Sequence, residues 1–419
     1  MNGYIGRARL MALAGTLAAL CPAGASWAQT APPFPELLRR ARDAPRVAAL
    51  DADVAQARGH AEQARARPNP SINLYGENFA GDLRTNARDQ QQTTFQIDQP
   101  IELGGKRAAR IAAGDAAVAA ASARGVEGRS AFATELARAY AAAEIADRRI
   151  ALAEDEVEEA TDVLKVARAL VAAGKEARLR QVQAETELHT MESDLEIAHA
   201  QRVGALARLA ALAGSPTPYT GLAESLIDRV IAQPPSGPVD PLQSATVRLA
   251  MAERAAAAQA VTVQRRRATP DITAQLGVRQ LRIARGPAIV AGVTIPLPVF
   301  DRNRGNIAAA QAELQSREAR AAAARLEAEA GAHSALALIA ATDARGVAAR
   351  RTLATAEEAY RLARIAYEAG KAPLSELLSA RHNLGAARGV ILDADIARFD
   401  ARASLARLAG LSITGEPVQ

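Results

Sequence analysis

The stretches LVAAGKEARLRQVQAE (residues 170–185) and YEAGKAPLSELLSAR (residues 367–381) repeat one corner at two points of the chain. In each, a long helical pattern runs into Ala-Gly-Lys and a second helical pattern follows. The glycines, Gly174 and Gly370, lie 196 positions apart. Because glycine adopts the left-handed conformation that ends many helices, each stretch predicts two helices joined by a tight turn.

Further landmarks recur in the same order at offsets of 196 to 200 positions. They are Pro70 and Pro270, Pro100 and Pro298, and the LARLA runs that begin at Leu206 and Leu405. Ordered landmarks at one offset indicate internal duplication. We predict a first repeat at 29–213, a proline-rich and largely non-helical equatorial linker at 214–240, and a second repeat at 241–419.

Each repeat has the same predicted order: a shorter helix, two strands, a long helix, the glycine corner and a return helix. The predicted helices are 45–67, 105–172, 176–213, 241–267, 304–369 and 375–411. The predicted strands are about 71–79, 92–99, 271–280 and 288–297. At about 1.5 Å per residue the long helices would span roughly 100 Å. Two short helices stacked end to end would match one long helix in length. We therefore expect helix 176–213 to stack on helix 241–267, and helix 375–411 to stack on helix 45–67.

The long helices carry a seven-residue pattern in which one position is mostly large and apolar and the position three residues later is small. In the first repeat the first position is held by Leu136, Ala143, Ile150, Val157, Leu164 and Val171, and in the second by Ile339, Leu353, Tyr360 and Tyr367. The small position is alanine or glycine except at Thr342, which breaks the pattern locally. This pattern is typical of closely spaced antiparallel helices. A soluble coiled coil would show it as well, so the pattern alone does not decide the class.

The strand segments favour a membrane protein over a soluble coiled coil. Ile72 and Leu74 alternate with polar residues, and so do the apolar residues of the other three segments. Their lengths are close to the ~9–11 residues of a tilted membrane strand. Four strands cannot close a barrel around a pore, and open edges are costly in lipid. Three copies would give a 12-stranded barrel; a soluble four-stranded sheet capping a helical bundle is the alternative.

Residues 1–28 have the composition of a secretory signal peptide. Arg7 and Arg9 precede the apolar run LMALAGTLAAL, and small residues offer a cleavage site after Ala28. A membrane-anchoring helix is the alternative, but the run is shorter than the ~20 residues a spanning helix needs. Cys21, the only cysteine, is a candidate for lipidation, although Leu20 before it is larger than lipoprotein processing prefers.

Composition and charge exclude several functions. The net charge of +5 falls to +3 without Arg7 and Arg9, and charges of both signs are interspersed, so we expect no nucleic-acid partner. The run Glu154–Glu156 indicates a solvated helix face. The five histidines are not paired at metal-ligand spacing, so neither a metal site nor a cofactor is expected. No phosphate-binding loop, nucleophile elbow or catalytic cysteine is present, so we predict that the protein is not an enzyme.

Two stretches, QPIELGGKRAAR (residues 99–110) and IPLPVFDRNRGNIAAAQAEL (residues 295–314), connect strands to long helices. With the duplication, they make the chain resemble the outer membrane factor (TolC-like) family of efflux ducts, and most of all its CzcC-type heavy-metal branch. The resemblance implies a mainly α homotrimer with a 12-stranded β-barrel in outer membrane lipid and a helical tunnel in the periplasm.

The same resemblance implies two protein partners, a periplasmic adaptor (membrane fusion protein) and an inner-membrane RND pump, and divalent heavy-metal cations as cargo. A duct for drugs or for type I protein secretion is the alternative within this class. A soluble periplasmic coiled-coil adaptor or structural protein is the alternative outside it.

The resemblance also assigns the glycine corners to the periplasmic tips. The residues it implies for adaptor docking are Gly174, Lys175, Tyr367, Gly370 and Lys371. Those it implies for the periplasmic constriction are Glu376, Arg180 and Tyr367. Arg180 and Ser379 depart from the acidic residues of the family at their positions, so the double acidic ring of the family is not expected here. Ordinary helix-surface residues are the alternative for Tyr367 and Glu376.

Overall fold

A computed structural model describes residues 29–78, 91–233, 239–282 and 286–418. The predicted signal peptide at 1–28, with Cys21, lies outside the described residues. In chain order the elements are β1 (Gln29–Ala31), α1 (Phe34–Arg40), α2 (Pro45–Arg65), β2 (Ser71–Glu77), β3 (Gln92–Ile101), α3 (Lys106–Ala172), α4 (Arg178–Ala213), β4 (Tyr219–Leu222), α5 (Leu226–Ala232), α6 (Ala245–Arg267), β5 (Ile272–Leu281), β6 (Ala288–Thr294), α7 (Arg304–Glu368) and α8 (Leu374–Leu408). The predicted mainly helical fold with a small four-stranded sheet is confirmed.

Two very long helices organise the fold. α3 has 67 residues and packs against α2, α4, α6 and α8, whereas α7 has 65 residues and packs against α6 and α8. The seven-residue pattern lies along these contacts. Its alanines on α3 are all buried: Ala139, Ala146, Ala153, Ala160 and Ala167. Small side chains at this seam let the helix backbones approach closely.

The shorter helices stack differently from the expected pairing. α4 ends at Gly214, where an added Cβ would lie 3.5 Å from Ala44 and Pro45, so α4 meets the start of α2. The end of α8 and the start of α6 line one groove, through Arg407 and Ser244 among others. The predicted pairings of 176–213 with 241–267 and of 375–411 with 45–67 are wrong. Each return helix ends where the short helix of its own repeat begins, because both belong beside the same long helix.

The segment between the repeats is more structured than predicted. It contains β4, which pairs in parallel with β1, and the seven-residue helix α5. Phe34 of α1 packs edge-on against Tyr140 of α3, with ring centroids 6.1 Å apart. These elements cover one side of α3 at mid-length and form the largest apolar cluster of the described residues. We call this layer the belt.

The four-stranded sheet joins the two repeats. Its order is β2-β3-β5-β6, and all neighbours are antiparallel. The central pair runs in register from Gln92 opposite Leu281 to Ile101 opposite Ile272. Since β3 belongs to the first repeat and β5 to the second, backbone hydrogen bonds hold the two repeats together at this end.

The helix predicted at 241–267 begins later than Pro241. Asp240 lies directly before Pro241. Its carboxylate does accept a hydrogen bond from Leu242 N, at 3.0 Å, but only in a short turn. α6 begins later, with Ser244 as its cap, which accepts from Val247 N at 3.4 Å.

Glu144 fixes the belt to α3. This glutamate is buried, and its carboxylate accepts hydrogen bonds from Leu226 N at 2.9 Å and Ile227 N at 3.0 Å. Ser225 Oγ and Arg148 Nη2 donate to the same carboxylate, each at 2.6 Å. The start of α5 is therefore held by a side chain that is 81 to 83 positions away in the chain.

We predict that Glu144→Ala lowers the free energy of unfolding by about 2–5 kcal/mol, because it leaves two buried backbone N–H groups without an acceptor. Denaturant unfolding of the purified protein measures this. Glu154→Ala, on an exposed position of the same helix, should change the value by less than about 0.5 kcal/mol. Equal effects of the two changes would contradict the role given to Glu144.

Candidate functional site: the sheet and the helical tips

One face of the sheet exposes apolar side chains across all four strands. One cross-strand row consists of Leu74, Phe95, Val278 and Ile289, and the next of Ile72, Ile97, Leu276 and Ala291. The large side chains of these rows are between 44% (Ile97) and 80% (Ile289) exposed. A continuous exposed apolar patch indicates a contact with lipid or with another protein.

The opposite face of the sheet is polar. Asp98 accepts hydrogen bonds from Asn73 Nδ2 at 2.8 Å and from Gln96 Nε2 at 2.5 Å. Arg279 Nε donates to Thr94 Oγ1 at 3.1 Å. This alternation follows the predicted faces of the strands. The edge strands β2 and β6 each have one sheet neighbour within the described chain.

The two motif stretches form the junction between sheet and helices. Gly104 and Gly105 adopt left-handed conformations before α3, and Asn303 does so before α7. Lys106 Nζ lies 2.8 Å from Asp271 Oδ2, which ties the start of α3 to the segment before β5. The sharp change from strand to helix therefore depends on these residues, and the shared sequence pattern corresponds to a shared turn.

The two glycine corners have the same backbone geometry. Gly174 has a φ of 68° and Gly370 a φ of 67°. Lys175 N donates to Leu170 O at 2.9 Å, and Lys371 N donates to Ala366 O at 2.8 Å. These are the bonds that close a helix end through a left-handed residue. The structure thus places one tight turn at the end of each long helix.

The predicted tip residues differ in their surroundings. Lys175, Lys371 and Glu376 are exposed, and none of their side chains has a hydrogen bond or ion pair among the residues described. Arg180 is half-buried; its guanidinium donates to Gln183 Oε1 at 3.0 Å and lies 4.0 Å from Glu176. Arg180 and Glu376 do not pair within the protomer.

Tyr367 does not lie on the surface. Its ring is 1% exposed and packs in a cluster with Leu164, Ala184 and Leu374. Burial raises the pKa of its hydroxyl, the charge of Glu176 raises it further, and Arg180 opposes them. The fold therefore brings Tyr367 of the second corner next to the first corner. The docking contact expected of Tyr367 stays a prediction, made for a ring that is buried within the protomer.

A buried ionic cluster above the tips was missed by the sequence analysis. Arg381 of α8 is 4% exposed and pairs with Glu187 of α4. Glu156 of α3 lies over Gly385 of α8, where an added Cβ would stand 2.3 Å from its carboxylate. Burial raises the pKa of Glu156, and Arg381 opposes this shift.

The interpretation of Glu154–Glu156 as a solvated face is therefore wrong for its last residue. Glu156 faces α8, whereas Glu154 and Asp155 are exposed. The sequence signal that was overlooked is Gly385, because a glycine inside a helix usually has a packing reason.

Within the described ranges, no three histidine or acidic residues lie together in a way that would hold a metal ion. Among the described helices, none has the length and apolar character needed to cross a membrane.

The similarity of this chain to known proteins extends over both repeats. The profile of a family described as "Outer membrane efflux protein" matches residues 38–215 and 242–411. The nickel-cobalt-cadmium resistance protein NccC of Alcaligenes xylosoxydans xylosoxydans is 41% identical over 397 residues, 94% of this chain and 90% of NccC. The cobalt-zinc-cadmium resistance protein CzcC of Cupriavidus metallidurans is 32% identical over 335 residues, 78% of this chain and 77% of CzcC. Among solved structures, CusC superposes with a TM-score of 0.78 at 20% identity, over 90% of this chain and 92% of CusC.

We predict that Gly370→Ala lowers the free energy of unfolding by about 1–2 kcal/mol, since a Cβ is unfavourable in the left-handed region. Gly204→Ala is the matched control: this glycine lies inside α4 with no atom within 4 Å of an added Cβ. The control should be neutral or gain up to about 1 kcal/mol. Denaturant unfolding compares the two, and a loss of the same size in both would contradict the assignment of the corner.

Proposed function

Because the chain belongs to the outer membrane efflux protein family, as its resemblance to that family predicted, we propose that it is the outer membrane exit duct of a tripartite RND-type efflux system exporting divalent heavy-metal cations. The matched family consists of efflux channels rather than enzymes, in agreement with the lack of a catalytic motif. The duct is a passive homotrimer. The energy for transport comes from the inner-membrane pump.

The observation that carries this proposal is the four-stranded sheet. Its outer face is apolar and exposed, and its edge strands β2 and β6 have free outer sides within one protomer. In lipid, every backbone polar group needs a partner, so an open sheet is not a stable membrane structure. Three copies joined edge to edge form a 12-stranded barrel, in which β2 of one protomer pairs with β6 of the next and lipid covers the apolar face.

The proposed cargo rests on the named relatives. NccC is a nickel-cobalt-cadmium resistance protein and CzcC a cobalt-zinc-cadmium resistance protein. The identity to NccC extends over 94% of this chain, so it includes both the sheet and the tips. We assign the same class of cargo, divalent heavy-metal cations, to this duct.

The glycine corners are the proposed periplasmic tips that meet the adaptor. Gly174, Lys175, Gly370 and Lys371 are exposed at the ends of the two long helices, which supports a docking role. Tyr367 is buried between the corners, so we assign it to holding the two tips in register, next to the constriction. Lysine ammonium groups at the rim would attract acidic groups of an adaptor hairpin.

The constriction is proposed to lie at Glu376 and Arg180, which carry opposite charges at corresponding places after the two corners. Since they do not pair within one protomer, the proposed contact is between neighbouring protomers. Such ion pairs would narrow the tip at rest and separate when the adaptor docks.

We predict that the protein fractionates with the outer membrane and runs as a heat-sensitive trimer on an unheated gel. Leu276→Lys should reduce trimer formation, because a lysine on the lipid face of a barrel costs about 2–4 kcal/mol near the bilayer midplane. Gln275→Lys, one residue away on the polar face, should leave the trimer intact. In a deletion strain, wild type should restore growth on nickel, cobalt, cadmium or zinc, and Leu276→Lys should not. A soluble periplasmic monomer would contradict the proposal.

We further predict that Glu376→Ala increases the conductance of single trimers in planar bilayers, because it removes the proposed ion pair with Arg180 of a neighbour. Glu154→Gln, which removes a charge from an exposed position far from the tip, should leave the conductance unchanged. Unchanged conductance in Glu376→Ala would show that Glu376 does not contribute to the constriction.

A further inference from the structure

Asp98 is the one charged residue in its cross-strand row on the polar face of the sheet. The cross-strand row at this level consists of Ser71, Asp98, Gln275 and Gly292. The rows on either side consist of Asn73, Gln96, Gly277 and Val290, and of Pro100, Thr273 and Thr294. Asp98 is therefore the only ionisable group in three successive rows of this face.

The partners of Asp98 orient its carboxylate without neutralising it. Asn73 and Gln96 donate through side-chain amides, which are uncharged. On this face the nearest basic residue of the described sheet is Arg279, four residues beyond Gln275 on β5, or about 13 Å at ~3.3 Å per residue. Its guanidinium donates to Thr94 instead. The negative charge at Asp98 thus has no compensating charge nearby on the same face.

Two glycines, Gly277 and Gly292, leave part of the face beside Asp98 without side chains. A Cβ at Gly277 would lie 2.6 Å from Phe95 O, and a Cβ at Gly292 would lie 2.9 Å from Gln275 Oε1. Gly292 belongs to the row of Asp98 and Gly277 to the adjacent row. Gln275, directly opposite Asp98 on β5, extends its amide towards Gly292 of β6, and neither β5 nor β6 places a charged side chain in these rows.

We propose that Asp98 makes the barrel of this duct selective for cations. The inference rests on the proposed function, because the three-fold symmetry of a trimer would bring three Asp98 carboxylates to one height in the lumen. A 12-stranded barrel is narrower than the 16–18-stranded porins that enclose open aqueous channels. A ring of uncompensated carboxylates in such a passage concentrates hydrated cations, divalent ones most strongly, and repels anions.

The test is the reversal potential of single trimers in planar bilayers under a KCl gradient. Wild type should prefer cations, Asp98→Asn should move the reversal potential towards zero, and Asp98→Lys should move it to the opposite sign. The shift should be large near 0.01 M salt and vanish near 1 M, because the Debye length falls from about 30 Å to about 3 Å. Asparagine retains a carbonyl acceptor at this position, so the sheet is expected to stay intact.

Glu154→Gln is the matched control for charge. Glu154 is exposed on α3, 48 residues after the start of that helix beside the sheet, or roughly 70 Å at ~1.5 Å per residue, so Glu154→Gln removes one negative charge far from Asp98. The measurement is repeated in the Glu376→Ala background so that the tip carboxylates do not mask the barrel. The expected result is a shift in Asp98→Asn and none in Glu154→Gln.

Two results would overturn the inference, and they are distinguishable from a failure of the proposed function. Normal channels with the same reversal potential in wild type and Asp98→Asn would leave the duct in place and remove the role of Asp98. An equal shift in Glu154→Gln would show a general charge effect and also remove it. If wild type formed neither trimers nor channels, the proposed function would fail, and the inference would fail with it.

Discussion

Close packing of long helices across alanine side chains is the contact on which the rest of this structure depends. The buried alanines recur every seventh residue along α3, and α3 touches six other helices. Alanine loses no side-chain entropy on folding and lets neighbouring backbones come close. Each such contact buries little apolar surface, so stability is distributed over the whole length of the helices.

Larger side chains cluster at two places along these packed helices. At mid-length the belt covers α3 with Phe34 and its neighbours, and Glu144 holds the start of α5 through two backbone N–H groups. Near the corners, Tyr360 and Tyr367 fill the space among α3, α7 and α8. Beside the second cluster, the buried Arg381 pairs with Glu187 and donates to the backbone carbonyl of Glu156. Ion pairs in such positions usually add less stability than apolar side chains of similar size.

The two repeats share the backbone conformation of their corners and junctions but differ in the side chains near the corners. Both corners close through the same left-handed turn, and both sheet-to-helix junctions use a left-handed residue before the long helix. The side chains near the corners differ, with Arg180 after the first and Glu376 after the second. A proline-led turn, Pro373, starts α8 and has no counterpart before α4. A symmetric scaffold therefore presents two unlike surfaces. The proposed contact between Arg180 of one protomer and Glu376 of its neighbour requires this difference.

Several features of this protein could be predicted from its sequence: the duplication, the alternation of the strands, the alanine seam and both glycine corners. These features are local, because a period of seven or two, or a glycine after a helix, constrains the chain within a few residues. Local patterns could not predict which short helices stack, that Tyr367 is buried, or that Glu144 and Glu156 face other elements rather than water. Those outcomes depend on contacts between residues 80 or more positions apart. A glutamate on an exposed face and one on a covered face look alike in sequence, since the covering element is specified elsewhere in the chain.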